Sequence, residues 1–367
     1  MAIDKLSLTN FRNISDVNIT LHPKLNFIYG LNASGKTSIL ESLYFISTGR
    51  SFKSRRIENI ICRESQLTEF ILFGKLGNSL SETDIYQVGI KKSTILPTQI
   101  KINKELIKSA SKLAKLSPII LIDPLSFELL NGAPTQRRQF LDWGVFHVEH
   151  LFSSDMNSYL NCLKQRNSLL RNGKIDDILL NVWDKKLSEL GEHVHTRRQA
   201  YFEKFQQRLD LFLRYFSLNE NIKVSYYKGW DKNKKLAESL EQFQERDIER
   251  KFTQVGPHRA DIKVSIFGQP ASENLSRGQQ KLFIFAMYLA QMQTLYEEYK
   301  KHTVVLIDDV AAELDDDNLN LVFKKLIELD SQIIVTVLNT DILGRLEENK
   351  TDYQMFHVEH GKITARE

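Results

Sequence analysis

Gly30-Leu31-Asn32-Ala33-Ser34-Gly35-Lys36-Thr37, set directly behind the apolar run Leu25-Asn26-Phe27-Ile28-Tyr29, decides the fold of this 367-residue chain. A strand that ends in Gly30 can turn without a Cβ clash. The loop N–H groups from Asn32 and Ala33 through Ser34 and Gly35 then face inward, and a helix opening near Lys36 aims the positive end of its dipole at the same point. Lys36 adds a point charge that reaches β- and γ-phosphates. The Thr37 hydroxyl is a hard oxygen ligand suited to Mg²⁺, with Ser38 beside it. The stretch reads as a P-loop that holds ATP or GTP.

Two later segments narrow the class. Thr303-Val304-Val305-Leu306-Ile307-Asp308-Asp309 is a fully apolar run ending in paired carboxylates, a Walker B element. Buried parallel strands read as continuous hydrophobic runs, and ligands of an open α/β sheet gather at their C-terminal edge. Asp308 is expected to hold the magnesium through water or Thr37, and Asp309 to orient the attacking water. Between the two elements lies Leu275-Ser276-Arg277-Gly278-Gln279, followed by helical spacing through Leu282, Phe285, Leu289 and Met292. Taken alone it could be a Ser N-cap beside a Gly. Ahead of a Walker B strand, Leu-Ser-x-Gly-Gln resembles the signature of ABC-type ATPases. That resemblance implies that Ser276, Gly278 and Gln279 contact the γ-phosphate bound to a second copy, so two ATP molecules are sandwiched in a dimer. A D-loop follows at Ala312-Glu313-Leu314-Asp315, and Gln332 to Val337 reads as the next parallel strand. The switch histidine of ABC enzymes is absent, so its role is either missing or filled by Thr336 or Asn339. A clear Q-loop glutamine is also missing, its place falling to Leu121-Ile122-Asp123-Pro124.

Hydrophobic residues make up 42% of the chain, enough for a sizeable core and two lobes. No apolar stretch approaches the roughly 18 residues needed to span a bilayer, and the N-terminus leads straight into a strand without a signal pattern; a cytoplasmic location, associated with the nucleoid, is expected. The two cysteines, Cys62 and Cys162, have neither CxxC spacing nor matching histidines and read as small apolar side chains.

A net charge of +4 does not by itself announce a nucleic-acid binder. Arg50, Lys53, Arg55 and Arg56, however, crowd one short segment with Phe52 and serines between them, a mixture that contacts phosphates. Arg137-Arg138, Arg197-Arg198 and Lys232 to Lys235 are weaker candidates for the same work.

The first 120 residues are strand-rich, at Lys5 to Leu8, Val17 to Leu21, Phe70 to Leu76, Ile85 to Ile90 and Gln99 to Ile102, and are expected to form half of one mixed sheet. From 151 to 216 the spacing turns helical. One stripe runs through Phe152, Met156, Leu160, Leu163 and Asn167, another through Tyr201, Phe205, Leu209, Phe212 and Phe216. Asn172-Gly173 breaks the run, so two antiparallel helices are expected. The fold class is α/β, an ABC-type P-loop ATPase head with a mixed sheet and an inserted helical lobe. Its expected divisions are 1–125 and 251–367 for the ATPase lobe and 126–250 for the insert.

Three features stay open on the residues alone. Asn10-Phe11-Arg12-Asn13 is either a plain turn or a device placing Arg12 over the adenine or phosphates. Gly256-Pro257-His258-Arg259-Ala260-Asp261 is either a buried ion pair or a nucleotide or DNA sensor. Phe-His-Val-Glu-His occurs at Phe146 to His150 and at Phe356 to His360, but the second copy has a strand-like context that disfavours a metal site.

The motifs together resemble the RecF family, the bacterial recombination-repair branch of the SMC/Rad50 ATPases. The resemblance runs through Leu8 to Asn13, the P-loop, Thr48-Gly49-Arg50-Ser51, Gly132-Ala133-Pro134 with Arg137-Arg138 and Phe140 to Trp143, Gly256 to Arg259, Leu275 to Lys281, and Asp308-Asp309-Val310 through Glu313-Leu314-Asp315. It implies a protein that binds ATP with Mg²⁺, dimerises, and engages double-stranded DNA and gapped or single-stranded DNA. It also implies work with RecO and RecR, and indirectly with RecA and SSB protein at coated gaps and stalled forks. A membrane-transporter ATPase subunit, an SMC-like tether and an ABC-related nuclease are the rivals. The insert and Asp309 speak against the first, the short arm against the second, and the lack of a spare acidic cluster against the third. Asp309 stands where transport enzymes carry Glu and is about 1.5 Å shorter; misplacement on the order of 1 Å can cost about 10²-fold in rate, so slow hydrolysis is expected.

Overall fold

The structure, a computed structural model, describes residues 2–62, 67–78, 81–172, 176–218, 221–309, 314–338 and 352–366. Val310 to Glu313 of the D-loop region, Gly173 and Asn339 lie outside them.

The elements run β1 (Ala2–Phe11), β2 (Ile14–Thr20), β3 (Leu25–Tyr29), α1 (Lys36–Thr48), β4 (Glu69–Asn78), β5 (Ser81–Ser93), β6 (Gln99–Ile102), β7 (Glu105–Leu106), α2 (Ser111–Leu116) and β8 (Ile119–Ile122). Helices follow as α3 (Glu128–Asn131), α4 (Pro134–Val148), α5 (Phe152–Arg171) and α6 (Asp177–Tyr215), then β9 (Ile222–Tyr227) and α7 (Leu236–Arg250). The chain closes with β10 (Asp261–Ile266), β11 (Gln269–Pro270), α8 (Ala271–Asn274), α9 (Arg277–Tyr299), β12 (Val304–Ile307), α10 (Asp316–Glu328), β13 (Gln332–Val337), β14 (Tyr353–Glu359) and β15 (Lys362–Arg366). These form two compact units, one of residues 1–127 with 296–367, the other of 128–295.

The first unit holds two six-stranded sheets. One has the order β2-β1-β4-β5-β6-β7, antiparallel throughout. The other runs β15-β14-β3-β13-β12-β8, parallel except for the edge strand β15. The expectation of one mixed sheet is thereby corrected: of the early strands only β3 and β8 enter it, and the rest close on each other as a meander. Local alternation is the same in either case, because it reports a half-buried face and not which strand lies beside it.

Helix α1 packs against β1, β4 and β5 of one sheet and against β8 and β13 of the other. Ile39, Leu40, Leu43, Phe45 and Ile46 are all completely buried, so apolar residues cover most of its circumference, as a helix enclosed on both sides requires. Phe11, Phe45 and Phe70 meet edge-to-face beneath it, with centroids 5.3–6.2 Å apart. Truncating one such side chain typically costs about 2–5 kcal/mol. Gly49 ends the helix in a left-handed turn that returns its N–H to the Phe45 carbonyl.

The second unit is helical around a small sheet of order β11-β10-β9. Arg197 on α6 pairs with Asp155 on α5 at 2.8 Å, and Arg166 on α5 pairs with Asp184 on α6, so the two helices run antiparallel. The buried side of α5 is carried by Phe152, Tyr159, Cys162, Leu163, Arg166, Leu169 and Leu170, while Leu160 is 46% exposed. Of the expected stripe, Phe152 and Leu163 are buried, Met156 and Asn167 are half-buried and Leu160 faces out, while Arg166 lies inside. Segment 251–295, expected with the ATPase lobe, groups with the helices. β10 pairs with β9 along its length, and Gln291 of α9 donates to the Phe140 carbonyl at 2.9 Å.

Candidate functional site

Strand β3 delivers Gly30 at the C-terminal edge of the parallel sheet, with β13 and β14 as its neighbours. Gly30 has φ 152°, and a Cβ there would meet the Val358 carbonyl oxygen at 2.2 Å. Only glycine fits. The loop then opens α1 with Gly35 as N-cap, which offers no side-chain acceptor, and no acidic residue occupies the first turn. The first N–H groups of a helix have no partner within it, and here no side chain of the cap competes with an anion for them. Asn32 and Ala33 are exposed at the loop tip, whereas Ser34, Gly35 and Lys36 are buried.

The Lys36 ammonium donates to the carbonyls of Gly30 at 2.7 Å and Leu31 at 3.0 Å. Burial pulls its pKa below the ordinary lysine value, against the opposite pull of Asp309 and Asp308. Thr37 Oγ1 donates to Asp308 Oδ1 at 3.1 Å, and Thr336 Oγ1 donates to the same oxygen at 2.8 Å. Thr336 also accepts from the Asp309 N–H at 2.8 Å. Asp309 itself adopts φ 57°, a rare conformation for a residue with a side chain. Among the described residues its Oδ1 is buried without a hydrogen-bond partner, as is the Ser34 hydroxyl. Such atoms cost about 1–3 kcal/mol each unless something satisfies them. The Thr37 hydroxyl and the Asp308 carboxylate, both hard oxygens in direct contact, fit Mg²⁺, which they would hold. The metal would supply positive charge to the phosphate oxygens when bound.

Sequence reasoning missed the braces behind the loop. Asn13 Nδ2 donates to the Ser34 carbonyl at 3.2 Å, and Ser38 Oγ donates to Asn13 Oδ1 at 2.9 Å. The Gly361 N–H donates to the same Ser34 carbonyl at 3.0 Å, from the turn between β14 and β15. A Cβ at Gly361 would meet the Asn13 carbonyl oxygen at 2.1 Å, so this turn fits only without a side chain. Arg12 is engaged within the protein: its guanidinium pairs with Glu41 at 2.6 Å and 2.8 Å and also donates to the Asn59 carbonyl.

The signature lies in the second unit. Ser276 caps α9 through a reciprocal pair, accepting from the Gln279 N–H at 3.3 Å while its own N–H donates to Gln279 Oε1 at 3.0 Å. The local-cap reading is therefore correct as far as it goes. It does not account for Gly278, where an added Cβ would meet nothing within 4 Å and no left-handed φ demands glycine. The fold of one chain gives no reason for glycine there.

The family RecF/RecN/SMC N terminal domain matches residues 2–364. A protein of Cellvibrio japonicus (strain Ueda107) called DNA replication and repair protein RecF is 37% identical over the whole of both chains. Its namesake from Stutzerimonas stutzeri (strain A1501) is 36% identical over 99% of this chain and 97% of that one. The chain belongs to the RecF family. Among solved structures, the recombination mediator protein RecF bound to ATP, of the RecFOR pathway, superposes with a TM-score of 0.84 at 27% identity, over 100% of this chain and 98% of that one. An Smc head bound to the C-winged helix domain of ScpA reaches 0.61 at 16% identity and shows the fold alone. The expected ABC-type α/β head is the architecture present.

Within this family member the cationic segment is open. Arg50, Lys53, Arg55 and Arg56 are all exposed, and Phe52 packs edge-on against Tyr44 with centroids 5.5 Å apart. The weaker arginine candidates are corrected. Arg137 is paired with Asp261 at 2.7 Å, Arg197 with Asp155 and Glu149, and the fully buried Arg198 with Asp142. Arg138 donates to the Ala260 carbonyl. Neighbouring cations in a sequence look alike whether they face water or an internal carboxylate. In the Gly256–Asp261 turn, Asp261 thus joins a partly buried ion pair and Arg259 stays exposed over the Phe252 ring. Burial pushes His258 down to about 4. Neutral, it donates through Nε2 to the Thr253 carbonyl at 3.1 Å and accepts the Tyr159 hydroxyl at Nδ1, 2.6 Å away. Of the two side chains left open for the switch role, Thr336 links the Asp308 carboxylate to the Asp309 backbone N–H, and Asn339 lies outside the described residues. Asp123 of the Leu121–Pro124 segment caps a turn by accepting from Ser126, following β8.

Proposed function

We propose that this chain is an ATP-dependent DNA-binding protein of recombinational repair and replication-fork recovery, in which slow hydrolysis times the release of DNA. The observation that carries the reading is that the Thr37 hydroxyl of the phosphate loop and the Thr336 hydroxyl both donate to Asp308 Oδ1, with the Asp309 N–H donating to Thr336. ATP with Mg²⁺ sits on the loop N–H groups. Ser276 and Gly278 of a second copy close over the γ-phosphate, making a dimer with two nucleotides between its protomers. Support for ATP in place of GTP comes from the RecF relatives, one described with ATP and one with ATPrS. In the closed dimer, Arg50, Lys53, Arg55 and Arg56 contact duplex DNA phosphates. Loss of the shared phosphate opens it, since a switch needs different affinities in its two nucleotide states. RecR and RecO are the proposed partners, through which RecA replaces SSB protein at single-stranded gaps.

The transporter rival is disfavoured by full-length identity to DNA replication and repair proteins. Among the described residues no helix is long and apolar enough to cross a membrane. A tether is disfavoured by reach: among the described residues the longest helix, α6, has 39 residues, about 60 Å.

Neutralising Lys53, Arg55 and Arg56 together is expected to reduce the salt slope of duplex affinity by up to about 3, one unit for each phosphate that no longer meets a cation. An unaltered slope, measured by anisotropy across a salt series, would remove this segment from the DNA surface. Asp309→Asn is expected to leave ATP binding intact and lower turnover on the order of 10²-fold, as loss of a water-positioning group does. Turnover equal to that of the unaltered chain would assign the water to another residue.

A further inference from the structure

Glu41 is a carboxylate almost wholly enclosed on a helix whose neighbouring side chains Ile39, Leu40 and Leu43 are apolar. Burying a charge is costly unless every oxygen is satisfied, and here both are. Oε2 accepts from Arg12 Nε at 2.8 Å, while Oε1 accepts from Arg12 Nη2 at 2.6 Å and from the Ser51 hydroxyl. Ser51 Oγ in turn accepts the N–H groups of Lys53 at 2.9 Å and Ser54 at 2.8 Å, which exhausts its hydrogen-bonding capacity. The same helix begins with Lys36, Thr37 and Ser38 of the phosphate loop. The turn that carries Arg12 also carries Asn13, the brace on Ser34 and Ser38, and the Arg12 N–H donates to the Ile60 carbonyl at 2.6 Å. A continuous set of short polar contacts therefore joins the phosphate loop to the backbone of the cationic segment.

We propose that Glu41 is a positioning residue that couples the nucleotide pocket to the cationic segment 50–56, so that DNA contact by that segment depends on the nucleotide held by the loop. Glu41 touches neither phosphate nor DNA; it acts through Arg12 and Ser51. The inference rests on the reading of residues 50–56 as a phosphate-contacting surface.

The test measures duplex affinity by anisotropy with ATP and with ADP, ATP affinity with a fluorescent analogue, and thermal unfolding, for Ser51→Ala, Ser51→Thr and Glu41→Gln. Ser51→Ala removes the last contact in the set without altering α1, and it decides the matter should Glu41→Gln fail to fold. Ser51→Ala is expected to keep ATP affinity within about twofold while the ratio of duplex affinities between the ATP and ADP states falls about tenfold, within the usual range of coupling between sites. Ser51→Thr, which keeps the hydroxyl, is expected to retain the ratio. An equal loss with ATP and with ADP would reduce Glu41 to a structural tie and overturn the coupling. So would an unchanged ratio in a chain whose triple neutralisation at Lys53, Arg55 and Arg56 does weaken DNA binding. If that triple variant binds duplex with an unchanged salt slope, the DNA surface itself is misassigned and the coupling falls with it.

Discussion

Lys36→Ala is expected to lower ATP affinity by about a hundredfold, equivalent to roughly 2.8 kcal/mol. A charged hydrogen bond in a partly desolvated site is worth about 1.5–3 kcal/mol, and Lys36 is held at the loop mouth by the Gly30 and Leu31 carbonyls. Burial disfavours its charged form, a pull that Asp309 and Asp308 oppose. Phosphate oxygens would stabilise the charge further, which is why the loss should appear in binding and not only in turnover. Two carbonyls left unpaired cost about 1–3 kcal/mol each at most, so the chain should remain folded with a modestly lower melting temperature. Titration with a fluorescent ATP analogue, alongside a melt, checks both. An affinity within about threefold of the unaltered chain would make Lys36 an internal clamp of the loop and no more.

Ser276→Arg is expected to leave ATP binding untouched and abolish ATP-dependent association in sedimentation. Within one chain Ser276 serves as a helix cap, and losing a cap costs about 1 kcal/mol. That is too little to unfold a domain. The large side chain would instead obstruct whatever lies over α9. Gly278→Ala is the gentler companion: a methyl group there meets nothing within 4 Å, and alanine is the better helix former by up to about 1 kcal/mol. A chain at least as stable as the original that no longer associates would locate the need for glycine outside the protomer. Unchanged association in both variants would refute the contact in trans.

The parts of this molecule legible in the sequence are those where local physics suffices. The Leu25 to Tyr29 run became β3 and the Gln332 to Val337 run β13, because strands buried on both faces carry mostly apolar residues on both sides. The Tyr201 to Phe216 stripe along α6 and its C-cap is buried as expected, because every member is aromatic or Leu. Long-range choices were not legible. Strands β1, β4 and β5 alternate equally well in a mixed sheet or in a separate meander, and only pairing settles which. Arg198 read as a phosphate-contacting cation but lies in the interior, since its carboxylate partner Asp142 sits 56 residues away in the chain. At the site, the phosphate loop and Walker B pair could be named from spacing, whereas Asn13, Glu41 and Gly361 could not. Their only trace is an acidic residue amid an apolar helix, an asparagine in one turn and a glycine in another.

A pocket built from two copies is tested most directly by mixing Lys36→Ala chains with Ser276→Arg chains in a sedimentation experiment with ATP. Alone, neither should associate: one cannot hold the nucleotide and the other cannot cover it. Mixed, they retain one complete site, the phosphate loop of the second facing the signature of the first, and a heterodimer should form that is absent with ADP. Mixed chains that stay apart, or a Ser276→Arg chain that dimerises by itself, would contradict the shared pocket.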